Sequence, residues 1–284
     1  MRYAWIKAHE PEFAVARMCR LLRASRSGFY AWRGRKPSQQ AQNNAALSEE
    51  VKAIFVGSRE TYGSVRVRRT LHDAGRKIGR HRVRRVMREG GMRPAARRAF
   101  QVTTDSNHDL PVAENLLKQQ FAATAPHQVW LSDITYIRTD KGWLFLACVL
   151  DLYSRRIVGW ATSERIDSEL IIWALSMAAW RFKPVGTICH SDRGVQYASR
   201  AYQDVLKQHG LVCSMSRRGN CYDNAPMESF FKTLKVECLY RRRLRTRDEA
   251  RRAVADYIEA FYNCRRMHTR NGFKTPQQAM RSAS

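Results

Sequence analysis

Three carboxylates stand at positions where a charge is costly unless it has work to do. Asp133 interrupts Gln128–Thr139 (QVWLSDITYIRT), an otherwise β-branched and aromatic run of strand length, and a carboxylate there needs a partner or a metal. Asp192 follows the apolar run 185–191, in His190-Ser191-Asp192-Arg193-Gly194, where the chain leaves a sheet. Glu228 opens a helix after the polar loop 216–224, with Asn224 suited to the N-cap and Pro226 to the first turn. Two aspartates on strands and a glutamate on a later helix are the hard oxygen donors that a pair of Mg²⁺ ions requires. Such a pair stabilises both the attacking and the leaving oxygen of an in-line phosphoryl displacement. Any three acids drawn from 25 could coincide, but 58 residues separate Asp133 from Asp192 and 35 separate Asp192 from Glu228, on a strand, strand, helix order.

Other reactive residues give weaker patterns. Lys232 and Lys235 lie four and seven positions after Glu228 and share its helical face, where they could grip a nucleic-acid end beside a metal site. The same spacing also describes a surface Glu–Lys pair worth a few tenths of a kcal/mol. Tyr222 invites comparison with a tyrosine nucleophile, which needs a cluster of Arg and His around it, whereas the candidate site is made of acids. The seven cysteines form no C-x-x-C pair, so neither a disulfide framework nor a zinc site is expected, and a reduced, cytoplasmic protein is. Cys189 and His190 are neighbours on a strand and point to opposite faces, which makes packing their expected role.

The elements that must position the carboxylates can be read from the surrounding pattern. Strands are expected at 128–139, 143–152 and 155–162, with Asp140-Lys141-Gly142 as a turn. A long apolar helix follows at 168–182, then a strand at 185–191, a helix at 200–209, a strand at 211–215 and the helix of Glu228. On that helix Met227, Phe230, Phe231, Leu234 and Cys238 face the core. This order describes an α/β domain with a mixed sheet.

Charge dominates the composition. Fifty-one Lys+Arg against 25 Asp+Glu leave +26, an excess that calls for a polyanion, and nucleic acid is the usual one. Hydrophobic residues make up 44% of the chain, enough for a sizeable core, and no apolar run approaches the ~20 residues of a membrane span. The stretch before residue 125 is richest in excess charge and reads as small helical units. Met18, Leu21 and Leu22 follow helical spacing, Ser25-Arg26-Ser27-Gly28 interrupts, and Phe29, Tyr30 and Trp32 resume, a helix-turn-helix-like segment over 1–36. Residues 37–44 read as a linker. A second unit covers 45–93 and ends on a helix bearing Arg80, Arg82, Arg84, Arg85 and Arg88, expected to contact DNA rather than form an idle solvated face. Residues 94–125 read as a connector, 126–240 as the catalytic core and 241–284 as a helical tail.

The motifs W-L-S-D-I-T-Y-I, L-D-L-Y-S-R-R-I-V-G-W, H-S-D-R-G-V-Q-Y and M-S-R-R-G-N-C-Y-D-N-A-P-M-E-S-F-F-K-T-L-K-V-E, with Tyr62-Gly63-Ser64 and the tail Y-N-C-R-R-M-H-T-R-N-G-F-K-T-P, resemble bacterial insertion-sequence transposases of the IS-three family over residues 3 to 280. The resemblance extends to the retroviral-integrase superfamily, so it implies an RNase H-like integrase core with a mixed five-stranded sheet, preceded by small all-α DNA-binding units. It departs from the family at Asn271, where a leucine is common, and at Phe273, where a tyrosine is, which bears on packing of the tail.

The resemblance also implies a mechanism. Asp133, Asp192 and Glu228 are the expected catalytic and metal-binding residues, with two Mg²⁺ ions as cofactor and Mn²⁺ as a substitute. Water nicks the element end to expose a 3′-hydroxyl, which then attacks another phosphate with no covalent protein intermediate. The implied partners are double-stranded DNA, as terminal repeats and as target, a second copy of the chain on that DNA, and an upstream-frame product with a helix-turn-helix and leucine zipper. A nucleoid-associated cytoplasmic location follows. Two rivals remain open: a catalytically inactive DNA-binding protein, and a nuclease of the same fold without strand transfer.

Overall fold

The computed structural model describes residues 1–36, 38–95, 113–117, 122–216 and 224–283. Residues 217–223 of the expected loop, including Tyr222, and most of the connector lie outside the described residues.

The three expected N-terminal strands form an antiparallel meander, β1 (Val129–Thr139), β2 (Gly142–Asp151) and β3 (Ile157–Ser163). The β1–β2 turn works because Gly142 takes a φ of +105°, open to glycine alone at little cost. Helix α7 (Ser168–Phe182) follows, capped by the Asp167 carboxylate accepting from Leu170 N at 3.0 Å. It crosses over to β4 (Ile188–Ser191), which pairs parallel with β1; β5 (Val212–Met215) pairs parallel with β4 after α8 (Arg200–Gln208). The sheet order is β3-β2-β1-β4-β5, the mixed five-stranded arrangement expected of an RNase H-like core. Strand β4 is shorter than the expected 185–191 because Val185 is almost fully exposed and Gly186 turns at φ +64°.

Each sheet face has its own core. On one side Trp130, Ala147 and Val158 pack on Leu170, Ala174 and Tyr202 of α7 and α8. On the other, Leu131, Leu146 and Leu150 pack on α9 (Ala225–Glu237), α10 (Arg247–Ala255) and the π-helical turn Asp256–Tyr262. The tail at 241–284 is therefore part of the sheet's own core through Leu244, Val254, Ile258 and Phe261. Its unusual residues are accommodated: Asn271 donates to Ser154 O at 2.6 Å, and Phe273 adopts φ +70° under the Arg69 guanidinium.

The N-terminal half holds two small helical cores. Helices α1 (Arg2–Ala8), α2 (Val15–Leu21) and α3 (Arg26–Arg33) enclose Ile6, Met18, Cys19 and Phe29. Met18 and Leu22 pack as expected, but Leu21 is 75% exposed and Cys19 is buried instead. Ser25 does not merely interrupt: its Oγ accepts from Gly28 N at 3.1 Å and starts α3. The linker expected at 37–44 is corrected from Gln39 onward, where α4 (Gln39–Gly57) begins. Amide pairs Gln39–Asn43 and Gln40–Asn44, one turn apart, support a polar helical start that composition alone resembles a linker. Helices α4, α5 (Ser64–Asp73) and α6 (Arg80–Glu89) share the core of Val51, Phe55, Val67, Leu71 and Val83.

Candidate active site

Parallel pairing brings the two aspartates to the same end of the sheet. Val129, Trp130 and Leu131 of β1 stand opposite Ile188, Cys189 and His190 of β4, and the same offset continued by two residues reaches Asp133 and Asp192. Asp133 Oδ1 accepts from Ile134 N at 2.8 Å, and Asp192 Oδ1 accepts from Gly194 N at 3.0 Å. Burial pushes the Asp133 carboxyl well above the usual carboxylate range, and the Asp192 and Glu228 charges push it further, against a smaller opposing pull from Lys235. Its neighbour across β2, the Cys148 thiol, is raised by burial and by the Asp133 charge.

Glu228 lies in the first turn of α9, half-buried, with its carboxyl raised by that burial. Asn224 does stand at the N-cap position, but its side chain does not cap: Nδ2 donates to Ser132 O at 3.3 Å and ties the start of α9 to the strand beside Asp133. The field of Glu228 thus reaches Asp133. Among the described residues, however, no three His, Cys, Asp or Glu side chains stand close enough together to hold a metal ion. The aspartate pair fits a hard dication by its chemistry, since its members are oxygen donors whose mutual repulsion a cation would relieve. The third ligand position is not formed in this arrangement.

The two lysines have different surroundings. Lys232 is half-buried beside Glu228's face. Lys235 is 8% exposed, with Nζ 4.8 Å from the Tyr136 ring centroid. Burial lowers its pKa and the Asp133 charge opposes that fall. It is a buried cation facing Asp133 rather than an open phosphate contact, because α9 turns that position towards β1. On α6, Arg80, Arg84, Arg85 and Arg88 are exposed, whereas Arg82 gives two hydrogen bonds, 3.2 and 2.8 Å, to Asn44 Oδ1 and braces α6 on α4.

Several residues that support the site escaped the sequence pattern. Tyr197 OH lies 3.1 Å from Ser132 Oγ, and burial, with the charges of Asp192 and Asp133, holds its phenol well above the ordinary value. It sits under both aspartates; its only sequence signal was membership of the H-S-D-R-G-V-Q-Y motif. Buried His190 is bracketed by Ser214 Oγ at 2.9 Å and Ser216 Oγ at 3.2 Å, which ties β4 to β5 and agrees with a packing role. Asp151 is fully buried but accepts from Ser154 N, Ser154 Oγ and His127 N, so it caps the turn into β3.

Known proteins share this organisation. Residues 123–221 and 228–279 match family models described as integrase core domain, and residues 42–100 match a helix-turn-helix-like domain. Among solved structures the chain is similar to a simian T-cell lymphotropic virus intasome bound to a PP2A regulatory subunit, with 16% identity, TM-score 0.49 and coverage of 81% of this chain and 74% of that one. It is also similar to the HTLV-2 integrase catalytic core domain in complex with magnesium, with 17% identity, TM-score 0.45 and coverage of 56% and 99%. Its sequence is 48% identical over 91% of its length, and 96% of the relative's, to the insertion element IS600 uncharacterized 31 kDa protein of Shigella sonnei. It is 44% identical to the transposase InsF for insertion sequence IS3A of Escherichia coli (strain K12), over 98% of both chains. Identity at that level, spread over almost the whole length, means that the chain belongs to the IS3 family of insertion-sequence transposases.

Proposed function

We propose that the chain is the polynucleotidyl transferase of its insertion sequence, nicking the element's ends and joining the exposed 3′-hydroxyls to target DNA. The observation that carries this reading is the Asp133 carboxyl. It stands mid-strand and half-buried, raised by desolvation and by the charges of Asp192 and Glu228, on a sheet whose β1–β4 register leads both aspartates to one end. Asp133 and Asp192 would hold divalent metal, with Glu228 completing the set. Mg²⁺ bound there supplies neutralisation of the charge that builds on the attacking and leaving oxygens. Ser132, Tyr197 and Asn224 hold the strand and the helix start around the carboxylates. The exposed arginines of α6 take backbone phosphates of double-stranded DNA, both terminal repeat and target. Assembly of two or more copies on DNA, and cooperation with an upstream-frame product, belong to the same reading and rest on the family alone.

The test uses purified chain, labelled terminal-repeat DNA and Mg²⁺ or Mn²⁺. Nicked and then joined products are expected, and Asp133→Asn, Asp192→Asn and Glu228→Gln should each abolish both while DNA binding persists. Normal joining by any of the three variants refutes the carboxylate assignment. Binding without nicking identifies an inactive DNA-binding protein, and nicking without joining identifies a nuclease.

A further inference from the structure

Immediately after α9 the chain runs through Tyr240-Arg241-Arg242-Arg243-Leu244-Arg245, an exposed basic segment apart from Leu244. Three clefts of about 320, 230 and 300 Å³ open around it, and Arg242 lines all of them. The largest lies between this segment and the end of β1, with Tyr136, Arg138, Lys235, Tyr240 and Arg243 among its walls. Its charges do not cancel. Asp140 is taken by Arg243 at 3.0 Å, whereas Arg138 makes no ion pair among the described residues and Arg242 acts on Asp256 only through its field, without a direct contact. Tyr240 is 61% exposed at the rim and presents an aromatic ring to solvent. The cleft neighbours the carboxylates through Lys235, which is one of its walls and whose charge interacts with that of Asp133.

Exposed guanidiniums track a phosphate backbone, and an exposed aromatic ring stacks most readily on a base that is unpaired. A duplex offers the first but hides the second. We propose that this cleft binds an unpaired segment of DNA next to the reacting phosphate, with Arg138 and Arg242 on its phosphates and Tyr240 stacked on a base. The inference rests on the reading of Asp133, Asp192 and Glu228 as the phosphoryl-transfer site, and it adds the form of DNA which that site prefers.

The experiment measures binding by the full chain in EDTA, across a salt series. The probes are a blunt duplex and the same duplex with a short single-stranded thymidine tail, each in terminal-repeat and scrambled sequence. Tailed DNA should bind more tightly. Tyr240→Ala should lose about tenfold on tailed DNA and nothing on blunt DNA, while Tyr240→Phe, which keeps the ring, retains the preference. Arg138→Ala with Arg242→Ala should lower the salt slope on tailed DNA by about 1.4, the share of two single-strand phosphates. Equal losses on blunt and tailed DNA, or an unchanged Tyr240→Ala variant, overturn the proposal. A preference confined to terminal-repeat probes assigns the segment to the element end; one shared by scrambled probes assigns it to any DNA, target included. Asp133→Asn separates the two readings. If it still nicks while the tail preference depends on Tyr240, the cleft stands and the catalytic reading falls. If it is inactive while Tyr240→Ala changes nothing, the reverse holds.

Discussion

Removing the Glu237 carboxylate is expected to destabilise the protein more than any surface charge change. Glu237 closes α9, the helix that Glu228 opens, and is 9% exposed against 8% for its partner Arg266. Two hydrogen bonds from Arg266, 2.7 and 2.8 Å, and one from Tyr257 OH at 2.8 Å converge on it. Burial works against the charge on Arg266, but the Glu237 bonds and field outweigh it and hold its pKa up. Around them the charge is one-sided: burial, with the charges of Arg266, Arg66 and Arg155, keeps His268 neutral. Glu237→Leu would leave Arg266 buried among cations, and a guanidinium cannot shed its proton. Breaking a buried pair from one side costs about 3–5 kcal/mol, which in a protein of this size lowers Tm by on the order of 10 °C. Arg266→Met should cost less, because the Glu237 carboxylate left behind still faces the Arg66 charge and accepts from Tyr257 OH. Thermal unfolding of the two variants at neutral pH checks both the size and the order. A loss under about 1 kcal/mol for Glu237→Leu, as at an exposed pair, would refute the reasoning, and so would the opposite order.

Other expectations follow from single contacts. Burial and the charges of Arg266, Arg66 and Arg155 push the His268 pKa down to about 2. Its neutral form therefore adds stability above pH 6.5 that drains away as the pH falls towards 2, and His268→Asn should flatten that part of the stability–pH profile. At Gly159 an added Cβ would lie 2.1 Å from Ala174 O and 2.8 Å from Ala178 N, so Gly159→Ala should push α7 off β3 and cost about 1–3 kcal/mol in denaturant melts. Replacing Arg80, Arg84, Arg85 and Arg88 together with Ala should reduce the salt slope of duplex binding by up to about 3.6, while Arg82→Ala should lower the stability of the 39–95 unit instead. An unchanged slope would return the four arginines to a solvated face.

The order of the core elements is written locally in the chain. The β-branched and aromatic runs at 128–139 and 143–152 and the Asp140-Lys141-Gly142 turn each depend on neighbours within a few residues, and they appear as strands and a turn in place. The spacing of Asp133, Asp192 and Glu228 belongs to the same class, because the strand–crossover–strand–helix order already constrains where those side chains can meet. Burial is different, since it depends on what lies opposite. Periodicity gave Leu21 a core position that Cys19 occupies, and composition gave 39–44 to a linker, although a helix stabilised by Asn44–Arg82 contact forms there. Lys235 shares a helical face with Glu228 in the sequence, yet α9 packs so closely on β1 that the lysine is shut in against Tyr136 and Asp133. The attachment of the 39–95 unit to the tail, through Arg59 on Asp256 at 2.6 and 3.0 Å and Tyr62 OH donating to Arg265 O at 2.9 Å, joins residues about two hundred positions apart. No local pattern encodes such pairs. They arise only when the folded surfaces meet, which is why the order of elements and the candidate residues could be read along the chain while the surroundings of those residues could not.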